Sequence, residues 1–513
     1  MNNYSRERFK TGEEYSRALF FLSPFILLFS ISLFQVLNLT LFQGDKYQTI
    51  AESNRIYQKP ISPVRGFIYD RNGTLLAENI VQRDLYVTPA YIEDSAETIL
   101  KLSNLLDVPY ELLDENFSRG VKKVKKFDSF PLVKALNEEQ IAKAKVNLDS
   151  ISGIEVKATL KRYVLHEETL AHVLGYVGDI SSDDIRRDKL LAELQNTQIG
   201  KTGIEKEFDY VLRGKPGIQT QERDVKGKLV RILDTQGAED GKDIYLTIDQ
   251  KLQDHLFKLF ENRRGALVAL EPKTGLVRAL ISSPSFNPNI LNSIVDTDEV
   301  ESLFSNKESP IFNRAISGQY PPASTLKPFV GLAAIENEVI SWDKTIKDDG
   351  EFYVEGDPRP YRGWKENGHG RVDMRKAIAE SSDVYFYNIA FDLTLAGIRP
   401  MLDSFGFGKK TGLTDFEANG LLPDKKWKLG YKGDFWFKGD TINLGIGQGY
   451  ILATPLQLAM AYSGLANKGV IYQPQFIQPE DEKSFEPKKV TEIQLSDNKA
   501  WEKMEQALVD VIS

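Results

Sequence analysis

Residues 319–337 read QYPPASTLKPFVGLAAIEN, and they determine how the second half of the chain is interpreted. Pro321 and Pro322 favour an extended approach, because a proline disfavours helical geometry in the residue before it. The residues that follow place apolar side chains at helical spacing, namely Leu326, Phe329, Val330, Ala333 and Ala334. The stretch therefore predicts a buried helix that is entered from an extended segment.

Two polar residues at the start of this helix could carry chemistry. Ser324 and Lys327 are three positions apart, so they share a helix face. A lysine in a dry pocket can lose its proton and act as a base, which would activate the serine without a histidine. The alternative is an ordinary helix cap with a surface lysine. The double proline and the apolar helix favour burial of the pair, where an unused lysine would be costly.

A second candidate lies in residues 377–392, AIAESSDVYFYNIAFD. Here Ser381, Ser382 and Asp383 interrupt two helical runs. A short polar loop between apolar helices can supply a hydroxyl that relays protons and a side chain that binds substrate by hydrogen bonds. Taken alone, such a loop is more often a helix cap.

The segments around these motifs predict an α+β domain that covers residues 246–513. Residues 250–263 have apolar side chains at helical spacing, and residues 265–282 read as strand, turn and strand. A helix followed by an antiparallel hairpin is a typical beginning of an α+β fold. Residues 243–249, DIYLTID, predict a strand at the junction.

Residues 43–245 have a different character, being charged and divided into short elements. Residues 67–77 read as a strand, a tight turn and a second strand, which is a hairpin pattern. Residues 199–213 predict a helical segment that ends before Gly214. Because the region has no obvious nucleophile, we interpret it as a structural or partner-binding domain, called the pedestal below.

An apolar segment near the N-terminus predicts a membrane anchor. Residues 18–42 carry no charge, and about 20 apolar residues are enough to cross a bilayer. Four basic residues precede the segment, which by the positive-inside rule predicts a cytoplasmic tail at residues 1–17 and a periplasmic remainder: Arg6, Arg8, Lys10 and Arg17. A cleaved signal peptide is the alternative, but its apolar region would be shorter.

Composition excludes several classes of function. The 513 residues contain no cysteine and four histidines, and Lys+Arg 65 against Asp+Glu 73 gives a net charge of −8. No cysteine means no disulfide and no thiolate-bound metal, and the sequence has no H-E-x-x-H motif. The acidic balance does not favour nucleic acid as a partner. We expect an enzyme without a cofactor.

Together these motifs resemble those of the class B penicillin-binding proteins, and within them the elongation type. S-x-x-K at 324–327 and S-x-D at 381–383 stand in the order of that family. Further segments match along some 400 residues, with the sequences RGFIYDRNG, AHVLGYVG, GIEKEFDYVLRG, YPPASTLKP, YRGWKENGHG, GDTINLGIGQGY and ATPLQLAMAY. The order of these segments is far more specific than any single one.

The resemblance implies a fold, an activity and a set of partners. It implies an α+β transpeptidase domain with a central antiparallel sheet flanked by helices, which joins peptidoglycan stem peptides ending in D-Ala-D-Ala and binds β-lactams. Ser324 would be the acylated nucleophile, Lys327 its base, and Ser381 and Asp383 the second motif. A SEDS-family glycosyltransferase and other elongation-complex proteins in the inner membrane would be the partners.

The third motif of the family, K-[ST]-G, has no suitable match. K-T-G occurs at 201–203, 273–275 and 410–412, and all three precede the position that the family gives it. We therefore expect the last strands of the domain and this motif to lie beyond residue 513, and a chain of this length to lack turnover.

Two further questions stay open at the level of sequence. Some relatives hold zinc near the second motif, and Asp348 and His369 could match two ligands. Gly363 and Ser382 stand where the others would be, so we predict no zinc. The alternatives to a transpeptidase are an inactive scaffold that recruits partners through the pedestal, and a β-lactam sensor or hydrolase, for which no deacylating base is evident.

Overall fold

The structure is a computed structural model that describes residues 4–39, 43, 55–122, 124, 126–147, 151–189, 191, 194, 198–224, 229–261, 263–292, 297–479 and 485–512. Its α-helices are Tyr4–Leu37, Ser95–Leu106, Tyr110–Val121, Glu138–Asn147, Glu167–Leu174, Ser182–Arg187, Gly203–Glu207, Asp209–Arg213, Gln250–Lys258, Thr297–Ser305, Lys327–Glu336, Met374–Ala379, Asp383–Ser404, Lys425–Lys432, Lys438–Gly445, Pro455–Ala466 and Lys499–Val509. Short 3₁₀ helices are Pro89–Tyr91, Pro288–Asn292 and Ala323–Leu326.

The strands are Ile56–Ile61, Ile68–Tyr69, Leu75–Val87, Phe130–Val133, Ile154–Val164, Val177–Asp179, Gln198–Gly200, Gly217–Arg223, Leu229–Gln236, Ile244–Tyr245, Gly265–Leu270, Val277–Ser283, Ile346–Asp348, Glu351–Phe352, Tyr361–Arg362, Gly370–Val372, Val470–Tyr472 and Lys489–Glu492. The chain forms two units, one of residues 1–62 with 216–238 and one of residues 63–215 with 239–513. The mixed helix and strand content confirms the predicted α+β class.

The first unit contains the predicted anchor. The helix Tyr4–Leu37 includes an apolar window, Phe20–Leu37, with a mean hydropathy of 2.1 and no buried residue. Its length and composition suit a membrane anchor. The helix ends earlier than the predicted segment, whose residues 40–42 lie outside the described part of the chain. The same unit holds an antiparallel sheet of Ile56–Ile61, Gly217–Arg223 and Leu229–Gln236.

The predicted hairpin in the pedestal is confirmed as the antiparallel pair Ile68–Tyr69 and Leu75–Val87. Asp70 is buried in the turn, and its Oδ1 accepts hydrogen bonds from the backbone N–H groups of Asn72 and Thr74 at 2.8 and 2.7 Å. This is the way in which aspartate stabilises a turn against competing conformations. Phe130–Val133, Ile154–Val164 and Ile244–Tyr245 complete a five-stranded sheet.

Three predicted elements are shorter than expected. Within residues 243–249 only Ile244–Tyr245 is a strand, because Asp249 already caps the next helix by accepting from the N–H of Leu252. That helix ends at Lys258, before residue 263. The helical segment predicted for residues 199–213 consists of a strand and two short helices. The stretch is held by a buried ion cluster, in which Glu205 binds Arg65 and Arg162, each at 2.6 Å.

The second half of the chain surrounds the helix Lys327–Glu336. All five residues of the predicted apolar face are fully buried, with 0% exposure each. The long helix Asp383–Ser404 packs beside it, and the aromatic ring of Phe329 contacts the rings of Phe405, Phe407 and Tyr462. The hairpin predicted in residues 265–282 is the antiparallel pair Gly265–Leu270 and Val277–Ser283. Within the described residues these two strands form a two-stranded sheet.

Candidate active site

The turn that carries Ser324 is a 3₁₀ helix, Ala323–Leu326, and the α-helix begins only at Lys327. Side chains at positions i and i+3 eclipse one another in a 3₁₀ helix, so Ser324 and Lys327 do share a face. The backbone before the serine is constrained: Ala323 has φ +51°, and its N–H donates to the carbonyl of Gly447 at 2.8 Å. A Cβ on Gly447 would lie 2.0 Å from the Ala323 carbonyl oxygen, so only glycine fits there.

The environment of Ser324 differs sharply from that of Lys327. The expected burial of the pair is wrong for Ser324, which is exposed, and whose hydroxyl makes no hydrogen bond to any residue that the structure describes. Lys327 retains 2% of its side-chain exposure and opens a helix in which residues 327–334 are all buried. An accessible hydroxyl one 3₁₀ turn from a buried amine is an arrangement that suits a nucleophile and its base.

The Lys327 amine has three partners, all in the second predicted motif. Its Nζ donates to the Ser381 carbonyl at 2.8 Å, to the Ser381 Oγ at 3.0 Å and to Asp383 Oδ1 at 2.6 Å. Burial lowers the pKa of Lys327 below its ordinary value, and the adjacent Asp383 carboxylate opposes that shift without cancelling it. The structure thus brings three of the four predicted site residues into direct contact.

The helix-cap interpretation of the serine-rich loop is confirmed for Ser382, while Ser381 and Asp383 contact the lysine. Ser382 is the helix cap: its Oγ accepts from the N–H of Tyr385 at 3.2 Å and opens the helix Asp383–Ser404. Ser381 has φ +54°, which turns its carbonyl and hydroxyl away from that helix and toward Lys327. The loop therefore combines a structural serine with two residues that face the lysine.

Sequence reasoning missed Trp364 as part of this site. Its backbone N–H donates to Asp383 Oδ2, and its indole Nε1 donates to the Ser381 carbonyl, both at 3.1 Å. The only sequence signal was the segment YRGWKENGHG, which the family resemblance singled out without assigning a role to the tryptophan.

The residues considered for zinc form a hydrogen-bonded cluster instead. Asp348 Oδ2 lies 2.7 Å from His369 Nδ1 and accepts from the Ser382 hydroxyl at 2.6 Å, while Oδ1 accepts from the Gly350 N–H at 2.9 Å. Burial raises the pKa of Asp348, but these three hydrogen bonds together hold it below its ordinary value. Gly363 offers no ligand atom.

A structural zinc site needs four donors, usually from cysteine, histidine or carboxylate side chains. The described residues contain no group of three or more His, Asp or Glu side chains that could hold a metal ion. The carboxylate of Asp348 already has protein partners for both oxygens, so this cluster does not fit such a metal centre.

The three K-T-G sequences lie in turns or at helix starts. Thr202 precedes the helix Gly203–Glu207, and residues 273–275 form the turn of the hairpin in residues 265–283. In the third, Lys410 donates to the Asp415 carbonyl at 2.6 Å and Thr411 donates to Glu417 at 2.7 Å. Both polar side chains of the third triplet are therefore engaged locally.

These features define the class of protein. The family model "Penicillin-binding Protein dimerisation domain" matches residues 60–246, and the model "Penicillin binding protein transpeptidase domain" matches residues 265–513. The chain belongs to the penicillin-binding proteins, with both domains of that family.

Within this family, the chain is similar to named transpeptidases and to a solved PBP2 structure. The chain is 37% identical over 480 residues to peptidoglycan D,D-transpeptidase MrdA of Acinetobacter baumannii, covering 92% of this chain and 71% of the relative. To MrdA of Escherichia coli K12 it is 36% identical over 469 residues, covering 90% and 74%. The structure resembles PBP2 of Helicobacter pylori in complex with MreC, with a TM-score of 0.76, 29% identity and coverage of 89% and 84%.

A solved structure of Pseudomonas aeruginosa PBP2 in complex with WCK 5153 is also similar, with a TM-score of 0.65 and 29% identity, covering 88% of this chain and 80% of that one. The resemblance stated from the sequence motifs is thus confirmed, for the elongation-type relatives in particular.

Proposed function

We propose that this protein is a peptidoglycan D,D-transpeptidase of the elongation type, which cross-links stem peptides through an acyl-enzyme on Ser324. The observation that carries the assignment is the buried Lys327 amine, held by Ser381 and Asp383 one 3₁₀ turn from an exposed serine hydroxyl. The transpeptidase family model and the MrdA relatives support the same reaction.

The reaction follows from the placement of these groups. Ser324 Oγ attacks the carbonyl carbon of the penultimate D-Ala, and its proton passes to the neutral amine of Lys327. The tetrahedral intermediate collapses, the bond to the terminal D-Ala breaks, and the leaving amine takes up a proton. An amine of a second stem peptide then attacks the ester, forms the cross-link and releases the Ser324 hydroxyl. A β-lactam enters the first step in the same way, but its leaving nitrogen stays attached.

The Ser381 and Asp383 groups hold the lysine where it can serve this chemistry. Lys327 must be neutral to accept a proton, and its burial in an apolar helix supports that state by lowering its pKa. The Ser381 hydroxyl, 3.0 Å from the amine, is placed to pass the proton on toward the leaving group. Asp383 orients the amine through the shortest of the three contacts.

An inactive scaffold is not favoured by this arrangement. Burying a lysine together with its counter-charge costs desolvation energy. In a protein that served only as a scaffold this cost would bring no benefit, because an apolar pair of similar volume is often as stable or more stable. The relatives at 35–37% identity are named as transpeptidases rather than as sensors or hydrolases.

The test is Ser324→Ala in the full-length gene product. We expect complete loss of covalent labelling by a fluorescent penicillin, because the alanine variant lacks the hydroxyl that attacks the lactam carbonyl. Mass spectrometry of the wild-type adduct should place the penicilloyl group on the peptide that contains residue 324. Labelling of the alanine variant at the wild-type level would refute the assignment.

We also propose the division of the chain and its place in the cell. The pedestal covers residues 43–245 and the transpeptidase domain begins at residue 246; the family-model bounds of 60–246 and 265–513 support that division. The N-terminal helix anchors the protein in the inner membrane with residues 1–17 in the cytoplasm. The basic residues before the apolar window support this orientation.

The absence of cysteine makes the orientation simple to test. A Tyr431→Cys variant presents a thiol at a site where the native side chain is 73% exposed. In spheroplasts, a maleimide that cannot cross membranes should label this variant but not Arg8→Cys, which it should label only after lysis. The reverse pattern would contradict the proposed orientation.

For partners, we propose peptidoglycan stem peptides, β-lactams and proteins of the elongation complex, including a SEDS-family glycosyltransferase. The structure of Helicobacter pylori PBP2 in complex with MreC supports the proposal that this protein binds other proteins of the elongation complex. Copurification of the full-length protein with a SEDS protein from the same membrane is the experiment that tests the last partner.

A further inference from the structure

One exposed residue, Trp364, donates hydrogen bonds to both residues that bind the Lys327 amine, Ser381 and Asp383. The indole of Trp364 is 66% exposed, yet its Nε1 donates to the Ser381 carbonyl at 3.1 Å, and its own backbone N–H donates to Asp383 Oδ2 at 3.1 Å. Exposure of this size means that apolar packing does little to fix the residue. Hydrogen bonds to the second motif are therefore prominent among the contacts of this side chain.

The group that the indole binds is also a partner of the lysine. The Ser381 carbonyl accepts from Lys327 Nζ at 2.8 Å as well as from Trp364 Nε1, so the two donors share one acceptor. Similarly, the two oxygens of Asp383 are divided between Lys327 and the Trp364 backbone. Each of the two groups that orient the lysine is thus also bound by Trp364.

The loop has a left-handed residue whose backbone is already supported. Ser381 adopts φ +54°, a conformation that is unfavourable for most residues with a side chain. The N–H groups of Ser381 and Ser382 donate to the carbonyls of Ile378 and Ala377 at 3.1 and 2.9 Å, the pattern that closes the end of the helix Met374–Ala379. Trp364 therefore adds contacts from outside the helix to a loop whose backbone has its own partners.

The position of Trp364 is itself fixed by contacts outside the second motif. The N–H of Gly363 donates to the Gly350 carbonyl at 2.8 Å, which ties the backbone before the tryptophan to the strand Ile346–Asp348 and its turn. The indole meets the His369 ring edge-on, with centroids 5.5 Å apart, and His369 is in turn bound to Asp348. Trp364 therefore links the segment around Gly350 and His369 to the loop that contains Ser381 and Asp383.

We propose that Trp364 is a positioning residue of the transpeptidase reaction, which holds the Ser381 carbonyl and the Asp383 carboxylate on the Lys327 amine. The inference rests on the proposed function in assigning Lys327 as the base. The charged groups that face this amine are Asp383, in contact, and Asp348, at longer range. The ring of Phe386 lies 5.6 Å from Nζ on another side.

The test is Trp364→Phe, which keeps an aromatic ring against His369 and removes only the indole N–H. In the full-length protein we expect the limiting rate of acylation by penicillin to fall about tenfold, the change that loss of one ordinary hydrogen bond in the transition state produces. We expect the midpoint of its pH dependence to fall as well, because a looser loop weakens the Asp383 contact that raises the pKa of Lys327.

A matched control is Trp436→Phe, which deletes the same indole N–H from a hydrogen bond of 2.8 Å to Thr441. It should change neither the limiting rate nor the midpoint, and both variants should keep the wild-type melting temperature. An unchanged or raised midpoint in Trp364→Phe, or equal effects in the two variants, would overturn the proposal.

A second readout separates this proposal from the assignment of the nucleophile. The pKa of the Lys327 amine can be followed by the ¹³Cε chemical shift in wild type and in Trp364→Phe, with the signal assigned by its loss in Lys327→Arg. A lower pKa in the Phe variant supports positioning by Trp364, and an equal pKa contradicts it. Failure of the wild type to form an adduct at Ser324 would count against the proposed function and leave this titration decisive.

Discussion

Lys327 and Lys428 form a natural comparison, since both lie in the second half of the chain. Each lysine retains 2% of its side-chain exposure, and each donates to an aspartate at 2.6 Å, Asp383 in one case and Asp440 in the other. Yet the pKa of Lys327 is lowered from its ordinary value, whereas that of Lys428 is raised. Burial lowers the pKa of both amines, so the two pKa values differ because neighbouring charges and hydrogen bonds offset burial more at Lys428 than at Lys327.

The two lysines differ in what covers them. Lys327 lies within the main hydrophobic core, on a helix with eight consecutive buried residues. Lys428 lies under aromatic rings near the surface; Phe437, 4.6 Å from its Nζ, is itself 55% exposed. Desolvation is the largest single influence on the pKa of Lys428, but the hydrogen bond and charge of Asp440, together with Tyr450 and Asp434, outweigh it and raise the pKa above its ordinary value. A close aspartate does not by itself define the charge state of a lysine.

The comparison assigns a different role to each residue. A lysine with a lowered pKa can be neutral and accept a proton, as a general base must. A lysine with a raised pKa stays charged and serves as a structural ion-pair partner. Lys327 is thus suited to catalysis and Lys428 to holding the segment in residues 425–440 together.

The largest expected effect separates the two lysines directly. Lys327→Ala should slow acylation by penicillin by about 10²–10⁴-fold, the usual contribution of a general base. Lys327→Arg should not restore the rate, because a guanidinium group cannot deprotonate in a protein. The second-order rate constant of penicilloyl adduct formation in the full-length protein is the measurement.

The matched control for this prediction is Lys428→Ala. It removes an equally buried lysine and an equally short ion pair, but no group that faces Ser381 or Asp383. Its acylation rate should stay within about twofold of the wild type, the scatter allowed by a free-energy change below RT. A loss in Lys428→Ala as large as that in Lys327→Ala would remove the distinction between the two sites.

Part of this comparison was accessible from the sequence. The apolar periodicity after Lys327 predicted a buried helix, and the spacing of Ser324 and Lys327 predicted a shared face; both are confirmed by the burial and the 3₁₀ turn. Such predictions succeed because they depend on local geometry, which repeats every few residues.

The contacts of the site were not accessible in that way. Ser381 and Asp383 lie 54 and 56 positions from Lys327, and no periodic pattern relates residues so far apart. Only the family resemblance placed them together. Trp364 was missed because its role depends on one indole N–H and one backbone N–H, which the sequence does not mark. Asp348, His369 and Ser382 were considered only as positions of a zinc site, and the hydrogen bonds that join them were not predicted.

A smaller effect is expected from the aspartates. Asp383→Asn keeps the shape of the side chain and removes the charge that raises the pKa of Lys327, so that pKa should fall further below its ordinary value. Because the neutral amine is the active form, the rising limb of the pH–rate profile should move to lower pH. The measurement is the acylation rate across the pH range.

The corresponding change at the other lysine is Asp440→Asn. Lys428 would lose its closest counter-charge while staying charged, so the variant should be less stable by about 1–3 kcal/mol, as expected when a charged hydrogen-bond partner is removed. Its pH–rate profile should keep the wild-type midpoint. A midpoint that moves in Asp440→Asn and not in Asp383→Asn would reverse the roles assigned to the two lysines.

The smallest expected effect concerns a third lysine, Lys410, which begins the K-T-G triplet nearest to the C-terminus. The family uses the lysine of such a motif to hold the substrate carboxylate, so its loss should be severe if this triplet were the motif. Here the Lys410 amine donates to the Asp415 carbonyl five residues away, and Thr411 is bound to Glu417. We therefore expect Lys410→Ala to acylate within about twofold of the wild-type rate, a change below RT in activation free energy.

The matched comparison for Lys410→Ala is Lys327→Ala, measured in the same assay on the full-length protein. A loss of more than tenfold in Lys410→Ala would show that this exposed lysine reaches the substrate, and that depth of burial is not what distinguishes the catalytic lysine in this domain.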